Sequence, residues 1–441
     1  MSLSFAKVSL AGLGVAFLLL LALQLHNVMT YPMLEGFDAP AHLLYIDYLK
    51  EYKQLPVPHE GWETSQQPLY YIVGSLWPAV ISLKWIGFWC WVVLCLVMWR
   101  FLWHVLRSAP LTKRPPSSPL LALAVFCISI AIPVVVALTP TISNEFFTTM
   151  MISVSLWYYV THFVPTLTGK QAATSKKMAL LLGIILGLTL LSKATTAVLI
   201  IAIVLERVIA NYKRPLRAVQ QLWLPLSVAF LVGGWLYLRN TLVYGSPFFS
   251  VPDFVPLEMF DAAIVPRDLT FFFSPVAFFT LDFFKGHDSS FLAGTFFSWF
   301  YDGHGGMLPL QESSKAGTVV VLFGGLWFFI ALAGFLKAVM NGLKHRHFVP
   351  TSYLLLYIYA PLLALSHAYY NIKLPIFSTV KGAFISSLIV PFAYFLYRGL
   401  SLVLEKVPAK YKTPAIMGVV SLACGYVLLI TKHFWVQQWW Y

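Results

Sequence analysis

Runs of about 20 apolar residues, the length a helix needs to cross a hydrocarbon core, recur from one end of this chain to the other. They fall near 8–27, 85–106, 119–139, 146–163, 178–192, 194–211, 220–238, 316–336, 350–370, 382–399 and 413–431, 11 in all. Charged residues make up only 11% of the 441, against 59% hydrophobic, too little charge to cover a soluble domain of this length. The pattern predicts an all-α polytopic membrane protein with about 11 transmembrane helices.

The formal net charge of +13 suggests a nucleic-acid partner until the charges are placed. With the N-terminus inside, the cytoplasmic segments hold 19 of the 30 Lys and Arg residues but only Glu206 and Glu405 of the 17 acidic ones. Basic residues in short cytoplasmic loops set orientation. The charge is therefore a topology signal, and no nucleic-acid partner is expected. Cys90, Cys95, Cys127 and Cys424 all lie within apolar runs, where they read as small hydrophobes. Their spacing gives neither a disulfide framework nor a zinc site. No Asn-x-Ser/Thr sequence occurs, which points toward a bacterial plasma membrane. An endoplasmic reticulum membrane with a lumenal site is the alternative.

Residues 1–441 read as one membrane domain without internal repeats. The first run continues through Gln24 and His26 with no small-residue cleavage site, so it reads as a retained anchor. Two long outer loops interrupt the hairpin pattern. The first, 28–84, carries a helix from Ala39 to Tyr52 and a short apolar stretch, Leu69–Ser82, expected to lie in the interface and to end near Lys84. The second, 239–315, holds 15 of the 35 phenylalanines. Its segments Leu269–Phe284 and Phe291–Tyr301 read as interfacial helices packed on the bundle, because a soluble loop would not be so aromatic. The C-terminal stretch Phe434–Tyr441 reads as an aromatic belt on the outer side.

Ionisable residues at a membrane boundary are costly and usually functional. Asp38 precedes Ala39-Pro40, and His42 follows one turn later on the same helix face. Asp38 fits two roles: capping the helix that Pro40 starts, or presenting a carboxylate to chemistry at the outer mouth. Ser143 or Asn144 can cap the next helix, with Glu145 a first-turn acid favoured by the helix dipole; alternatively Glu145 is a site residue. Lys193 ends an apolar run and can snorkel to the headgroups or face a ligand. Arg239, near Tyr244, carries a planar fork suited to a phosphate. His287, Asp288, Asp302 and His304 match no common metal-ligand spacing.

Several segments, taken in order, resemble one superfamily. Asp38-x-x-x-His42, then Leu55-Pro56, then Gln67-Pro68-Leu69-Tyr70-Tyr71 is similar to the first outer loop of the protein O-mannosyltransferases and lipid A aminoarabinose transferases. These are membrane glycosyltransferases of the C-type fold. That loop typically reads Asp-Glu-x-x-His and later Pro-Pro-Leu-Tyr-Tyr; here Ala39 replaces the Glu and Gln67 the first Pro. Thr139–Glu145 resembles the family's second acidic motif, and Gly183–Lys193 its Gly-x-x-x-Gly-Leu-x-x-Leu-x-Lys segment. Trp235–Asn240 with Tyr244-Gly245-Ser246-Pro247 resembles Trp-x-x-Arg-Asn followed by Tyr-Gly-Asp/Asn-Pro, and Lys381-Gly382 falls where relatives often carry a basic residue near Gly.

The resemblance implies a single-displacement, inverting sugar transfer from a polyprenyl-phosphate donor to an acceptor hydroxyl on the outer or lumenal face. The acceptor would be a lipid, a glycan or a protein. Asp38 would be the general base. His42, Gln67, Asn144, Glu145, Lys193, Arg239, Tyr244 and Lys381 would bind substrate, with Arg239 first among the phosphate-binding cations. No cofactor is called for and a divalent metal stays open. Ala39 in place of the Glu speaks against a two-carboxylate or metal-assisted variant while leaving the base position filled. Two other classes are compatible with the composition: a transporter or flippase for a lipid-linked sugar, and a non-catalytic subunit of a glycan-assembly complex.

Overall fold

The computed structural model describes residues 3–36, 38–108, 118–168, 172–256, 259, 265–280, 290–302, 307, 315–345 and 353–436. Each apolar run carries helix. In the first half these are α1 (Leu3–Thr30), α2 (Ala39–Tyr52), α3 (Leu69–Ser75), α4 (Lys84–Ser108), α5 (Ser118–Ile130), α6 (Pro133–Leu138), α7 (Asn144–Tyr158), α8 (Val164–Thr168) and α9 (Ala172–Leu190). The second half has α10 (Ala197–Ala210), α11 (Pro215–Ala229), α12 (Trp235–Tyr244), α13 (Leu269–Phe273), α14 (Val276–Thr280), α15 (Phe291–Phe300), α16 (Lys315–His345), α17 (Leu354–Lys373), α18 (Ile389–Glu405) and α19 (Ala409–His433). Among the described residues there is no β-strand.

Six helical segments are long and apolar enough to cross a membrane: Lys7–Thr30, Ile81–Ser108, Pro215–Tyr244, Gly317–Gly342, Gly382–Glu405 and Ala409–His433. The other expected spans are shorter or interrupted. Pro133 has no amide proton to continue α5, so the run 119–139 divides into α5 and α6. Wider π turns at Tyr159–Phe163 and Phe230–Gly234 join α7 to α8 and α11 to α12. The fold is an all-helical membrane bundle, and six crossings are what length and apolarity alone establish.

The short apolar segment ends at Leu83, and Lys84 opens α4, with its ammonium buried and donating to the Tyr31 carbonyl at 2.7 Å. Two local expectations need correction. The stretch Leu69–Ser82 is α3 followed by a 3-10 turn at Val80–Leu83, because Pro78 stops the helix. The C-terminal stretch is no simple belt. Phe434 is buried, its carbonyl accepts from Asn27, and Trp435 stacks on His26 at 4.2 Å, fastening the chain end to α1. Residues 437–441 lie outside the described part.

The aromatic loop is ordered where it is described. α15 buries Phe297 and Phe300 and packs on the segment Gly382–Leu388, while Phe273 and Phe279 face outward. At one end of the bundle α2 packs on α3, and α3 packs on α7 and, through the Leu69 amide, bonds the Leu191 carbonyl just after α9. This is where the ionisable residues gather.

Candidate functional site

Asp38 adopts a left-handed backbone, φ 58° and ψ 24°, and caps nothing: no side-chain hydrogen bond to the start of α2 is present. Short polar residues tolerate this conformation better than most. Pro40 sits in the first turn and fixes where the helix begins. The preceding Gly36, at φ 96°, passes so close to Thr141 that a Cβ there would come within 2.8 Å of its methyl. The loop therefore leaves Asp38 with a carboxylate that is 43% exposed and aimed at the interior of the outer face. Of the two roles open to Asp38, helix capping is the one the geometry lacks.

His42, one turn on, is buried, and its amide donates to the Asp38 carbonyl at 3.1 Å. Its Nδ1 lies 2.9 Å from the Tyr71 hydroxyl. Burial pulls the His42 imidazole down to about 3, so the ring is neutral at physiological pH. On α7, Ser143 is the N-cap, accepting from the Glu145 amide at 3.2 Å. The capping expectation for this turn thus holds for Ser143, which leaves the Glu145 carboxylate free to accept from Lys193. Lys193 does not snorkel. It is buried in the extended turn between α9 and α10, with its ammonium 4.9 Å from the centre of the Phe384 ring. Lys381, also extended and buried, lies 6.0 Å from the same ring and 3.6 Å from the Asp38 carboxylate.

These groups line one cavity of about 480 Å³. Asp38, His42, Gln67, Asn144, Glu145, Lys193 and Lys381 all contribute to its wall. So seven of the nine candidates, drawn from four separate stretches of sequence, converge. Arg239 and Tyr244 do not line it. They face each other at its edge, Nη2 to hydroxyl 3.5 Å, and Tyr244 stacks at 4.8 Å on the lining residue Phe249. The polar side of the cavity comes from the first outer loop and α7. The lining also includes apolar residues: Val198 and Ile201 of α10, Leu363 of α17, and Phe248 and Phe249.

Three lining groups carried no sequence signal. Lys373, at the end of α17, pairs with Asp253 at 2.8 Å. Tyr370, one turn earlier, packs edge-on against Phe384 at 5.7 Å. Glu63 is the third: 6% exposed, with Oε2 accepting from the Tyr71 hydroxyl at 3.3 Å. Nothing local separates it from Glu60 three residues earlier, whose carboxylate only closes an exposed turn on the Val57 amide.

The donor set does not suit a metal ion. Among the described residues no three His, Cys, Asp or Glu side chains are grouped so that they could hold a metal ion. Ammonium groups already stand beside Glu145 and Asp38. No step below uses a metal. Of the four residues outside any ligand spacing, His287, Asp288 and His304 lie outside the described residues, and Asp302 is buried, accepting from the Met307 amide at 2.6 Å.

At the level of sequence, no family model and no curated protein matches the chain. In structure, it is similar to the Archaeoglobus fulgidus oligosaccharyltransferase in its apo form, with a TM-score of 0.59 and 17% identity over 98% of this chain and 56% of that one. The archaeal oligosaccharyltransferase AglB from Archaeoglobus fulgidus, in complex with an inhibitory peptide and a dolichol-phosphate, overlaps with a TM-score of 0.58 and 16% identity, again over 98% of this chain and 56% of that one. ArnT from Cupriavidus metallidurans bound to undecaprenyl phosphate overlaps more loosely, with a TM-score of 0.40 and 11% identity over 96% of this chain and 88% of that one. The chain spans a little over half the length of the oligosaccharyltransferases it matches. Their likeness defines the architecture: this is the C-type fold of membrane glycosyltransferases.

Proposed function

We propose that the chain is an integral membrane glycosyltransferase that moves a sugar from a polyprenyl-phosphate donor to an acceptor hydroxyl on the outer face, with inversion. One observation carries the reading. An uncapped, partly exposed carboxylate, Asp38, lines the same cavity as the buried Lys193 and Lys381, together with the apolar residues Val198, Ile201, Leu363 and Phe248.

Each part has a task in such a reaction. Asp38 accepts the proton from the acceptor hydroxyl as its oxygen attacks the anomeric carbon. The bond from that carbon to the lipid phosphate breaks, and the electron pair leaves on the phosphate oxygen. Lys381 and Lys193 meet that developing charge in a site largely screened from water, where fixed cations count most. Glu145 holds Lys193 in place, and Phe384 gives both ammonium groups a π face. The polyprenyl chain follows the wall formed by α10, α17 and Phe248. Arg239 and Tyr244 brace that wall through Phe249. His42, Gln67 and Asn144 orient the sugar or the acceptor.

The dolichol-phosphate and undecaprenyl phosphate in the AglB and ArnT structures are consistent with a lipid-phosphate donor here. A bacterial plasma membrane suits the absence of Asn-x-Ser/Thr sequences. The test is turnover by the purified protein given polyprenyl-phosphate sugar labelled in the sugar and a membrane extract as acceptor. Label should appear on an acceptor with inverted anomeric configuration. Movement of labelled lipid across a vesicle bilayer without transfer would make the protein a transporter, and neither event would make it a non-catalytic subunit.

A further inference from the structure

We infer that Glu63 is a positioning residue for the Asp38 base: its carboxyl closes the Tyr71–His42 hydrogen-bond chain and so fixes the left-handed turn that presents Asp38. This rests on the transferase reading for its consequence in catalysis, though not for its chemistry.

The geometry is a short buried chain. The Glu63 Oε2 lies 3.3 Å from the Tyr71 hydroxyl, which lies 2.9 Å from His42 Nδ1. The Asn144 amide nitrogen reaches the same hydroxyl at 3.4 Å, tying in α7. His42 in turn is backbone-bonded to Asp38. A displacement at Glu63 therefore passes through two side chains to the residue that carries the base.

The charge state follows from who pairs with whom. Three carboxyl groups face the cavity. Glu145 takes Lys193, and Asp38 faces Lys381, while Lys373 is held by Asp253 outside. The basic atom recorded near Glu63 is His42 Nδ1, at 3.8 Å. That ring is itself neutral, because burial holds it down to about 3. Burial, reinforced by the negative charges of Asp38 and Glu145 against the opposing pull of Lys193 and Lys381, pushes the Glu63 carboxyl up to about 8. Tyr70 and Tyr71 of α3 keep their protons, and Tyr370 of α17 is near enough to Glu63 to interact with it electrostatically.

With all three members neutral, the chain works in either sense. Glu63 can donate to Tyr71 and Tyr71 to Nδ1, or the Nδ1 proton can donate to Tyr71 and Tyr71 to the carboxyl. In each case the Tyr71 oxygen donates once and accepts twice, counting Asn144. Loss of the Glu63 proton leaves only the second sense and adds a buried negative charge close to Asp38 and Glu145.

The experiment compares wild type with Glu63→Gln, which keeps size and neutrality and cannot ionise. In wild type, kcat per folded molecule should fall about tenfold between pH 7 and pH 9, as one group titrating near 8 requires, and the variant should lack that limb. An alkaline limb of equal size in both proteins would overturn the proposal. Thermal stability gives a readout independent of turnover. Between about pH 4.5 and 8 the folded protein retains a Glu63 proton that the unfolded chain has released. Wild type must therefore lose stability relative to Glu63→Gln as pH rises through that window, and the difference must level off above it. Protons on His42 cancel, since both proteins carry it. Parallel stability curves would sink the proposal even if transfer were never detected, so its failure stays distinct from failure of the transferase reading. Tyr71→Phe cuts the chain while sparing the carboxyl, and should lower kcat several-fold with donor KM unchanged; an unaltered kcat would also overturn it.

Discussion

At the residue scale, the site turns on whether the non-capping carboxylate of Asp38 is a base. The geometry offers a clean separation, because Asn tolerates the left-handed backbone nearly as well as Asp does and no capping hydrogen bond is lost with the carboxylate. Asp38→Asn should therefore fold to normal abundance and bind donor, yet lose about 10²–10⁴-fold in transfer rate, the usual cost of a missing general base. Rate per folded molecule decides it, and a loss smaller than about threefold would return the search to Glu145. The cations can be ranked in the same way. Arg239 matched its sequence motif best, but it stands at the cavity edge against Tyr244, whereas Lys193 is buried in the wall. Lys193→Met should cost more transfer activity than Arg239→Lys. It should also lower folded yield, since it strips Glu145 of its partner inside the protein. A normal rate for Lys193→Met beside a crippled Arg239→Lys would put the donor phosphate at the edge.

At the element scale, what could be read from sequence and what could not divide along a physical line. Signals carried within a few residues were legible: Pro40 starting α2, the span of α2 from Ala39 to Tyr52, Ser143 capping α7, the cation after Gly183-x-x-x-Gly187. Breaks that depend on packing were not. The π turn at Phe230–Gly234 exists because α11 must stay pressed on α9, and no residue type announces it. Glu63 was invisible for the same reason, since only the fold buries it and leaves Glu60 in water. The glycine motif gains a mechanical meaning here. A Cβ on Gly187 would lie 2.5 Å from the Val232 Cβ and 3.0 Å from the Ala229 carbonyl, so the glycine is what lets α9 and the π turn touch. That contact sets the end of α9, where the Tyr237 hydroxyl and the Leu69 amide bond the Leu190 and Leu191 carbonyls at 2.9 Å each, just before Lys193. Gly187→Val should therefore destabilise the protein by about 1–3 kcal/mol, the range for overpacking, measured by thermal unfolding in detergent. It should reduce transfer per folded molecule as well. An unchanged melting temperature would show that the helices part without cost.

At the scale of the whole molecule, charge and chemistry occupy opposite ends. Lys176 and Lys177 lie in the second turn of α9, and Lys193 lies just past its end, so about 20 Å of helix at 1.5 Å per residue runs between them. α10 repeats the arrangement in reverse, leaving the cavity at Ala197 and reaching the buried Glu206–Arg207 pair near its far end. The basic residues that would fix orientation therefore lie at the other end of α9 and α10 from the cavity carboxylates, as the proposed outer-face reaction requires. Orientation is thus a prediction about function as well as topology. With Cys90, Cys95, Cys127 and Cys424 replaced by alanine, single cysteines at the exposed positions Gln54 and Lys213 should report the two sides separately. An impermeant maleimide should label Gln54→Cys in intact cells and Lys213→Cys only after the membrane is opened. Labelling of Lys213→Cys from outside would turn the cavity toward the cytoplasm. The donor would then have to be presented from that side, and the outer-face scheme built on Asp38 would fall with the topology.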